Sequence, residues 1–294
     1  MEHGRRDYAK EMVEQILMLL QVGLSPWKAC WDEGRGGMLP LRHNGVAYRG
    51  INILMLWSAA TRYGYTNPYW LTFRQALEFD AVVRKGERGR PVCYYGSAQR
   101  ESDEGDPATF RYLKYYTVFN AQQIDGLPDS FFPTATTGAG PETLARVDEW
   151  IARTGAEVRW GGASAYYNPN TDHIQMPDVA CFRDAEQLAS VELHEITHWS
   201  GAAHRLDRNL DRYADSRANR AFEELIAEIG SGLLGAQHGL RPDHIEDHAR
   251  YIGSWIAELK NDPKYLFSAA AQAQAAVDYL NQRAHEGEAL ATAA

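Results

Sequence analysis

The residues best suited to metal chemistry lie in the segment HEITH, His194 to His198, of this 294-residue chain. The surrounding sequence AEQLASVELHEITHW predicts a helix, and residues four apart on a helix lie one turn apart on nearly the same face. Both imidazoles can therefore reach one ion, while Glu195 lies on the adjacent face and can take a proton from water. This spacing is typical of zinc peptidases. We therefore predict a zinc-dependent metallopeptidase centre with Glu195 as the catalytic base.

A zinc site of this kind needs a third protein ligand, and one candidate lies close by. His204 completes the pattern HEITHWSGAAH, in which Gly201 would allow a turn, and this is the spacing of metzincins. Metzincins also need a methionine-containing turn downstream of the motif. The last methionine of the chain is Met176, which precedes the motif. His204 is therefore the weaker candidate.

A second source of ligands is the segment FEELIAEIGSGLL, whose apolar residues form one face of a predicted helix. Glu224 and Glu228 are four residues apart and share a different face, so one can bind the metal while the other orients a ligand imidazole. Glu223 lies about 100° around the helix from Glu224, so the two cannot do the same job. We predict Glu224 as the ligand and Glu228 as the orienting acceptor. His204, Glu223 and Glu228 remain alternative ligands.

The ligand types restrict the ion only partly. Two imidazoles and one carboxylate accept Zn²⁺, with Mn²⁺ and Co²⁺ as alternatives. A peptidase also needs a group that stabilises the oxyanion of its substrate. Tyr213 and His204 are possible donors, and nothing in the sequence selects between them.

The three cysteines exclude a cysteine-built metal site. Cys30, Cys93 and Cys181 are odd in number, far apart and without a CxxC pair, which fits a reducing compartment. The charged start of the chain is unlike a secretory signal, and no run of about 18 apolar residues predicts a membrane span. We therefore expect a cytoplasmic protein with no membrane partner.

The net charge of −9 argues against nucleic acid only when it is averaged over the chain. Residues 1–133 carry 16 Lys+Arg and 15 Asp+Glu, whereas residues 134–294 carry 14 and 24. Within residues 35–100 there are ten basic side chains, three acidic ones and ten aromatic rings. Single-stranded nucleic acid is held by cations on its phosphates and by aromatic rings on which bases stack. This block therefore predicts single-stranded DNA binding, although an aromatic core under a solvated basic face has the same composition.

The candidate DNA contacts are basic side chains for phosphates and aromatic side chains for stacking. They are Arg42, Tyr48, Arg49, Trp70, Arg74, Arg84, Lys85 and Arg88.

The elements that must position these groups divide into two domains. We expect an α+β fold, with domain 1–128, a linker over 129–142 that is rich in Pro, Gly, Thr and Ala, and domain 143–294. In the first domain, two strands are expected to flank the turn KGERGR, and residues 97–106 to form a loop. The second domain should be mainly helical with a hairpin over 165–177, in which DHIQMP could be an edge strand for a peptide substrate.

Ordered blocks over nearly the whole chain resemble the ArdC-type antirestriction proteins of conjugative plasmids. In the first half these blocks are SPWKACW (25–31), RHNGVAYRGINILMLW (42–57), NPYWLTFRQA (67–76), VRKGERGRPV (83–92) and YYTVFNAQQIDGLP (115–128). In the second half they are AYYNPNTDHIQMP, HEITHWSGAAHRLDR, AFEELIAEIGSGLL and YIGSWIAELKNDPKYLFSAAAQAQAAVDYL.

The resemblance implies a single-stranded-DNA-binding domain joined to a zincin-like metallopeptidase domain, and a role in shielding incoming plasmid DNA from host restriction enzymes. It implies metal ligands at His194, His198 and Glu224, with Glu195 as catalytic acid and base. The pair Glu224 and Glu228 looks like the third-ligand helix of gluzincin peptidases.

Three functions compete at this point. The protein could protect DNA by binding it, or it could cleave a host protein such as a restriction enzyme subunit, with DNA binding as a targeting device. It could also be a primase-associated conjugation module, since similar N-terminal regions resemble those of conjugative-plasmid primases. The third is the weakest, because no polymerase-type carboxylate cluster is apparent in the sequence.

Overall fold

A computed structural model of the chain describes residues 7–25, 39–101, 107–133, 141–240 and 249–293. Its helices are α1 (Tyr8–Gln21), α2 (Ile51–Tyr63), α3 (Phe73–Glu78), α4 (Pro141–Thr154), α5 (Ala185–Trp199), α6 (Arg217–His238), α7 (Ala249–Asn261) and α8 (Lys264–Ala293). Its strands are β1 (Leu41–Arg42), β2 (Tyr69–Thr72), β3 (Val82–Val83), β4 (Arg90–Glu101), β5 (Pro107–Asn120), β6 (Ile124–Asp125), β7 (Glu157–Trp160), β8 (Tyr166–Asn168) and β9 (His173–Met176). The predicted α+β class with a mainly helical second domain is confirmed.

The N-terminal domain is built on a four-stranded sheet with the order β1-β2-β5-β4. The strands β4 and β5 form one long antiparallel hairpin, paired from Arg90 and Val118 to Glu101 and Pro107. Two sequence predictions fail here. The strand before KGERGR is β3, which pairs with β6 and not with β4, so KGERGR is not a hairpin turn. Residues 97–101 of the loop expected over 97–106 continue β4, because backbone pairing does not require apolar side chains, and residues 102–106 lie outside the described residues.

The C-terminal domain has a small sheet of order β7-β9-β8. The predicted hairpin is present as β8 and β9, which pair antiparallel, and β7 adds a parallel strand on the other side of β9. The segment DHIQMP is therefore the central strand of this sheet, and the expectation that it forms an edge is wrong. Among the described strands, β8 and β7 are the two edge strands of this sheet, and β8 is the one that belongs to the hairpin.

Two helices form the frame of the metal motif. Helix α5 begins at Asp184, whose side chain accepts a hydrogen bond from the Gln187 amide at 2.8 Å, and this satisfies an amide that has no partner within the helix. Helix α6 begins in the same way at Ser216 and ends at Gly239, which has the left-handed conformation that favours glycine. The central part of both helices is buried.

The two domains pack against each other over a shared core. Helix α1 contacts α7, helix α2 contacts α8, and one cluster of buried apolar side chains includes residues of both domains. At the interface Arg49 forms an ion pair with Asp278, and the Gly50 amide donates to the Gln274 side chain at 2.9 Å. Among the helices that the structure describes, none has the apolar length that a bilayer span requires.

Candidate functional site

The buried side chains of HEITH lie on the inner face of α5. His194, Glu195 and His198 are each exposed by less than a tenth of their surface. The Nε2 atoms of the two histidines lie 3.1 Å apart and face each other, as the spacing of four predicts. The helix thus presents two imidazole nitrogens at one point in the protein interior.

Glu224 on α6 completes a group of three. Its Oε2 lies 3.6 Å from Nε2 of His194, and its Oε1 lies 4.0 Å from Nε2 of His198. In a tetrahedral zinc site with ligand bonds of about 2.0–2.1 Å, neighbouring ligand atoms are about 3.3 Å apart. The spacing and chemistry of these donors therefore fit a divalent ion. Within the described part of the chain, no other three His, Cys, Asp or Glu side chains lie close enough to hold one.

The charge state of Glu224 suits a metal ligand. Burial raises the pKa of its carboxyl, but hydrogen bonds and charges from His194, His198 and Tyr213 outweigh this and leave the pKa lowered. The Tyr213 hydroxyl donates a short hydrogen bond to Oε1 of Glu224. Burial, together with the Glu224 charge, raises the pKa of Tyr213, so the hydroxyl keeps its proton. Tyr213 therefore lies at the site and can donate a hydrogen bond there.

The acceptor that contacts His198 is Glu223. Nδ1 of His198 lies 3.0 Å from Oε1 of Glu223. The helix-face argument did not foresee that the ring of His198 meets Glu223. The role of Glu228 as acceptor for a ligand imidazole stays a prediction. Glu228 is buried deeper in the same helix.

His204, the alternative third ligand, lies away from the three convergent side chains. Its side chain is 64% exposed, and its Nε2 lies 3.2 Å from Oδ2 of Asp172. After α5 the chain forms a loop that is closed by the Arg208 amide, which donates to the Gly201 carbonyl at 2.9 Å, and His204 lies within this loop. The metzincin-like spacing of HEITHWSGAAH is therefore not matched by a metzincin-like arrangement of its histidines.

Two of the predicted DNA-contacting side chains are buried. Trp70 is 2% exposed, and its ring packs edge-on against Tyr65 at 5.7 Å. Tyr48 is 8% exposed, and its hydroxyl donates to the Trp70 carbonyl at 3.4 Å. Neither ring is open to a stacking base, and burial corrects the expectation that they are platforms.

Two of the predicted arginines already have acidic partners. Arg49 is paired with Asp278 across the domain interface. Arg84 contacts Glu87 at 3.0 Å and Asp125 at 3.3 Å. Both side chains remain partly exposed, at 58% and 44%, so their contact with DNA stays a prediction.

The other predicted cations are exposed. Arg42 lies 5.5 Å from the ring centre of Tyr48, and Arg74 makes a weak contact of 3.7 Å with Glu78. Lys85 and Arg88 extend from the loop between β3 and β4. Their contact with DNA stays a prediction.

A surface that we did not select lies on the β4–β5 hairpin. The pairing of Val92 with Tyr116, Tyr94 with Lys114 and Gly96 with Tyr112 brings three tyrosines and a lysine to one face of the hairpin. We call Tyr94, Tyr112, Lys114 and Tyr116 the tyrosine face. Tyr94 is 50% and Tyr116 46% exposed. The alternation in YLKYYTVF was the signal that could have revealed it, since every second residue of a strand shares a face.

The tyrosine rings on this face support one another. The Tyr94 and Tyr112 ring centres are 6.4 Å apart, and the Lys114 ammonium lies 4.8 Å from the Tyr112 ring centre. Gly96 is needed beneath them, because a Cβ there would lie 2.4 Å from the Tyr112 ring. Glycine therefore lets a tyrosine lie flat on the hairpin.

Comparison with known proteins gives two family matches along the chain. Residues 6–119 match the N-terminal domain of anti-restriction factor ArdC, and residues 145–272 match a zincin-like metallopeptidase. The first match covers the hairpin, and the second covers the three convergent side chains. Together they confirm the two-domain organisation.

Several relatives match nearly the whole chain. The Sinorhizobium fredii protein y4eC, described as uncharacterized, is 38% identical over 292 residues, which cover 96% of this chain and 94% of that protein. DNA primase TraC of Escherichia coli is 35% identical over 301 residues, which cover 95% of this chain. The chain spans only 27% of that TraC.

Two crystal structures of the antirestriction protein ArdC from plasmid R388 are similar to this one. The metal-free form has a TM-score of 0.83 and 43% identity, and covers 96% of this chain and 99% of its own. The Mn(II)-bound form has a TM-score of 0.80 and 43% identity, and covers 95% and 98%. The bound metal in that relative and the convergent donors here support a divalent ion at this site. Because the likeness extends over both domains and nearly the full length of each protein, the chain belongs to the ArdC family of antirestriction proteins.

Proposed function

We propose that the protein is an antirestriction factor that binds single-stranded DNA through its N-terminal domain and shields incoming plasmid DNA from host restriction enzymes in the cytoplasm. The likeness to ArdC of plasmid R388 over 96% of the chain supports the antirestriction role. The observation that carries the DNA-binding part is the tyrosine face. DNA can reach the tyrosine face in the present structure, because its rings are already exposed. The buried rings and the paired arginines of the basic block keep their contacts.

The tyrosine face suits single strands for two reasons. Exposed rings can stack on any base, since every base has a flat π-surface, and the lysine among them can pair with a phosphate. The hairpin also carries Tyr95, which is exposed on the opposite face. An extended strand can thus follow the projecting hairpin, while the acidic second domain repels phosphates from the metal centre.

Affinity for a fluorescent single-stranded oligonucleotide tests this surface. Tyr94→Ala and Tyr116→Ala should each cost about 1–3 kcal/mol of binding, or roughly 5- to 150-fold in dissociation constant. Lys114→Gln should lower the salt slope by about 0.7. Tyr166→Ala is the matched control, because this tyrosine is 45% exposed but lies on the C-terminal domain. If Tyr94→Ala, Tyr116→Ala and Lys114→Gln bound the oligonucleotide as tightly as wild type and the control do, the tyrosine face would be excluded as the DNA-binding surface.

We further propose that His194, His198 and Glu224 hold a divalent ion, with Zn²⁺ favoured by the two imidazoles and one carboxylate and with Mn²⁺ or Co²⁺ as alternatives. The buried, convergent donors and the lowered pKa of Glu224 support this assignment. When bound, such an ion polarises a peptide carbonyl and increases the acidity of water.

The protein side chains supply the remaining chemistry. Glu195, between the two histidines on α5, accepts the proton of the attacking water and passes it to the leaving amine. The Tyr213 hydroxyl donates its single proton to Glu224, and by turning that proton to the substrate it would stabilise the charge that develops on the carbonyl oxygen. The edge strand β8 can pair with an extended peptide next to α5.

A second candidate function is cleavage of a host protein, such as a restriction enzyme, with DNA binding as the targeting device. The complete set of HEITH residues and Glu224 favours it. Plasmid transfer into a restricting host, measured for wild type and Glu195→Ala side by side, separates the two. Glu195→Ala should keep metal and DNA binding and lose peptide hydrolysis. Full protection by this variant would refute the cleavage model, whereas lost protection with intact DNA binding would support it.

The TraC relatives favour a third candidate, a primase-associated conjugation module. A primer-synthesis assay on a single-stranded template tests whether this chain makes primers itself. We expect none, because the chain corresponds to only 27% of the TraC length. Primer synthesis by the purified chain would make the primase-associated module the favoured function.

A further inference from the structure

A buried arginine lies behind the metal centre, outside the group of convergent ligands. The side chain of Arg208 is only 4% exposed. Its neighbours Asp207 and Asn209 have φ angles of 47° and 54°, in the left-handed region that non-glycine residues seldom adopt. These two residues flank Arg208, whose side chain is buried. Backbone strain of this kind persists only where the surrounding contacts compensate for it.

The first set of contacts joins Arg208 to the end of α5. Its Nη2 donates to the Thr197 carbonyl at 2.6 Å, and its Nη1 donates to the Ser200 hydroxyl at 2.8 Å. The carbonyls of the last helical turn have no partner within the helix, so the arginine satisfies one of them. The guanidinium thereby holds the helix end that carries His198.

The second set of contacts joins Arg208 to α6. Its Nη2 and Nε donate to the two carboxylate oxygens of Glu223 at 2.8 Å and 3.1 Å. This paired geometry is specific to arginine, since lysine offers a point charge and no planar fork. One buried guanidinium therefore connects the helix of the two histidines with the helix of Glu224.

The carboxylate that Arg208 holds is the one that contacts His198. Oε1 of Glu223 lies 3.0 Å from Nδ1 of this histidine. A hydrogen bond at Nδ1 puts the ring proton there and leaves Nε2, which faces His194 and Glu224, with a free electron pair. The same oxygen accepts from Nη2 of Arg208 at 2.8 Å, so the guanidinium and the imidazole meet at one carboxylate atom.

Gly201 makes room for this arrangement. A Cβ at this position would lie 2.6 Å from Nη2 and 2.7 Å from Cζ of Arg208. Gly201 is not among the residues with positive φ, so its backbone does not need glycine. The glycine of HEITHWSG is therefore required by the guanidinium packed against it.

We propose that Arg208 is a positioning residue of the metal centre and that it sets the tautomer and ring orientation of His198 through Glu223. The absence of a side chain at Gly201 leaves the space that the Arg208 guanidinium occupies. This inference rests on the proposed metal site. Partners of this kind typically change metal affinity by about 10- to 100-fold. The effect must be seen in metal binding itself, since Arg208 does not reach the ligand atoms.

The test measures Zn²⁺ and Mn²⁺ dissociation constants of the full chain by competition with a chromogenic chelator. We expect Arg208→Gln, Arg208→Lys and Gly201→Ala to bind metal about 10- to 100-fold more weakly than wild type. Nitrogen NMR of the metal-free protein should show the His198 proton at Nδ1 in wild type and a mixture of tautomers in Glu223→Gln and Arg208→Gln.

Arg205→Gln is the matched control. Arg205 is a buried arginine of the same loop, with a side chain 5% exposed, and it also donates to the end of α5, at the Trp199 carbonyl, but its other partners are Asp172 and Tyr167 and it does not contact Glu223. This variant should keep wild-type metal affinity even where it lowers the melting temperature. Thermal unfolding of every metal-free variant separates misfolding from a positioning effect.

Each outcome decides the question. If wild type binds no divalent metal, the proposed metal site fails, and this inference fails with it. If wild type binds metal and the folded Arg208 and Gly201 variants bind equally well, only the positioning role is overturned. An equal loss of affinity in Arg205→Gln would also overturn it, since the effect would then be general. If Arg208→Gln does not fold, Arg208→Lys and Gly201→Ala carry the same comparison.

Discussion

Glu224 and His204 differ sharply in where their side chains lie, and this gives a direct prediction for metal binding. Glu224→Ala removes one of three convergent donors and should lower metal affinity by at least about 100-fold, as measured by chelator competition. His204→Ala should leave affinity unchanged, because this exposed side chain contacts Asp172. A large loss of affinity in His204→Ala would restore the metzincin-like reading of the motif.

A second residue-level prediction concerns His238, at the end of α6. Burial, followed by the charge of Arg146, lowers its pKa from 6.5 to about 4. The neutral ring packs edge-on against Trp150, with ring centres 5.0 Å apart. Unfolded chains gain a proton below pH 6.5 and the folded protein only near pH 4, so stability is complete above 6.5 and falls between these values.

Denaturant unfolding between pH 4 and 7 measures this dependence. The contribution of His238 to the loss should be roughly 2–3 kcal/mol, since one pKa unit is about 1.4 kcal/mol. His238→Gln cannot take up a proton and should remove that part of the pH dependence. Identical pH profiles for both proteins would show that His238 does not titrate in this way.

The sequence was sufficient to select the three convergent side chains His194, His198 and Glu224 and insufficient for the groups that contact them. The spacing within HEITH and the helix face of Glu224 depend only on local geometry, which periodicity predicts. The contacts of Arg208 with Thr197 and Glu223 join three separate elements through a strained loop. Local patterns carry no information about such a loop, and Glu223 was therefore not recognised as the partner of His198.

Between helices, the close approach of α5 and α6 depends on Gly230. A Cβ at this position would lie 2.6 Å from Cγ2 of Thr197. Gly230→Ala should therefore destabilise the protein by about 1–3 kcal/mol and weaken metal binding, because the helices that carry the ligands must separate. The free energy of unfolding and chelator competition measure the two effects.

Gly253→Ala is the control for this prediction. Gly253 lies in helix α7 with nothing within 4 Å of its added Cβ. Alanine there should stabilise the helix by roughly 0.5–1 kcal/mol, since glycine has a lower helix propensity. If Gly230→Ala behaved like this control, the helix spacing would not depend on the glycine.

At the level of elements, helices were easier to predict than strand partners. Helix α5 covers AEQLASVELHEITHW, the segment predicted to be helical, because its periodicity and its Asp184 N-cap are both local. The turn KGERGR suggested a hairpin between its flanking strands, but β3 pairs with β6, about 40 residues further along the chain. A turn signal shows where the chain can reverse and not which strand it joins.

For the whole molecule, the shared core predicts that the domains depend on each other. The boundaries 1–128, 129–142 and 143–294 stay a prediction, and residues 134–140 of the linker lie outside the described residues. A fragment of residues 143–294 would expose the apolar surfaces of α7 and α8 that contact α1 and α2. We expect it to melt roughly 10 °C or more below the full chain, since 1 kcal/mol corresponds to about 2–4 °C.

Calorimetry of the fragment and the full chain, with a dye that binds exposed apolar surface, tests this dependence. The fragment should bind the dye, and the full chain should show one cooperative transition. Two independent transitions, with the fragment as stable as the corresponding transition of the full chain, would contradict it.

The shared core also restricts how this pair of domains can be inherited. Recombination that exchanged one half for an unrelated sequence would leave helices α7 and α8 without the surfaces on which they pack. The TraC relatives fit this restriction, because their similarity extends over 95% of the present chain, across both halves, inside a much longer protein. The pair would therefore move between genes as one unit, in which the N-terminal half brings the C-terminal half with it.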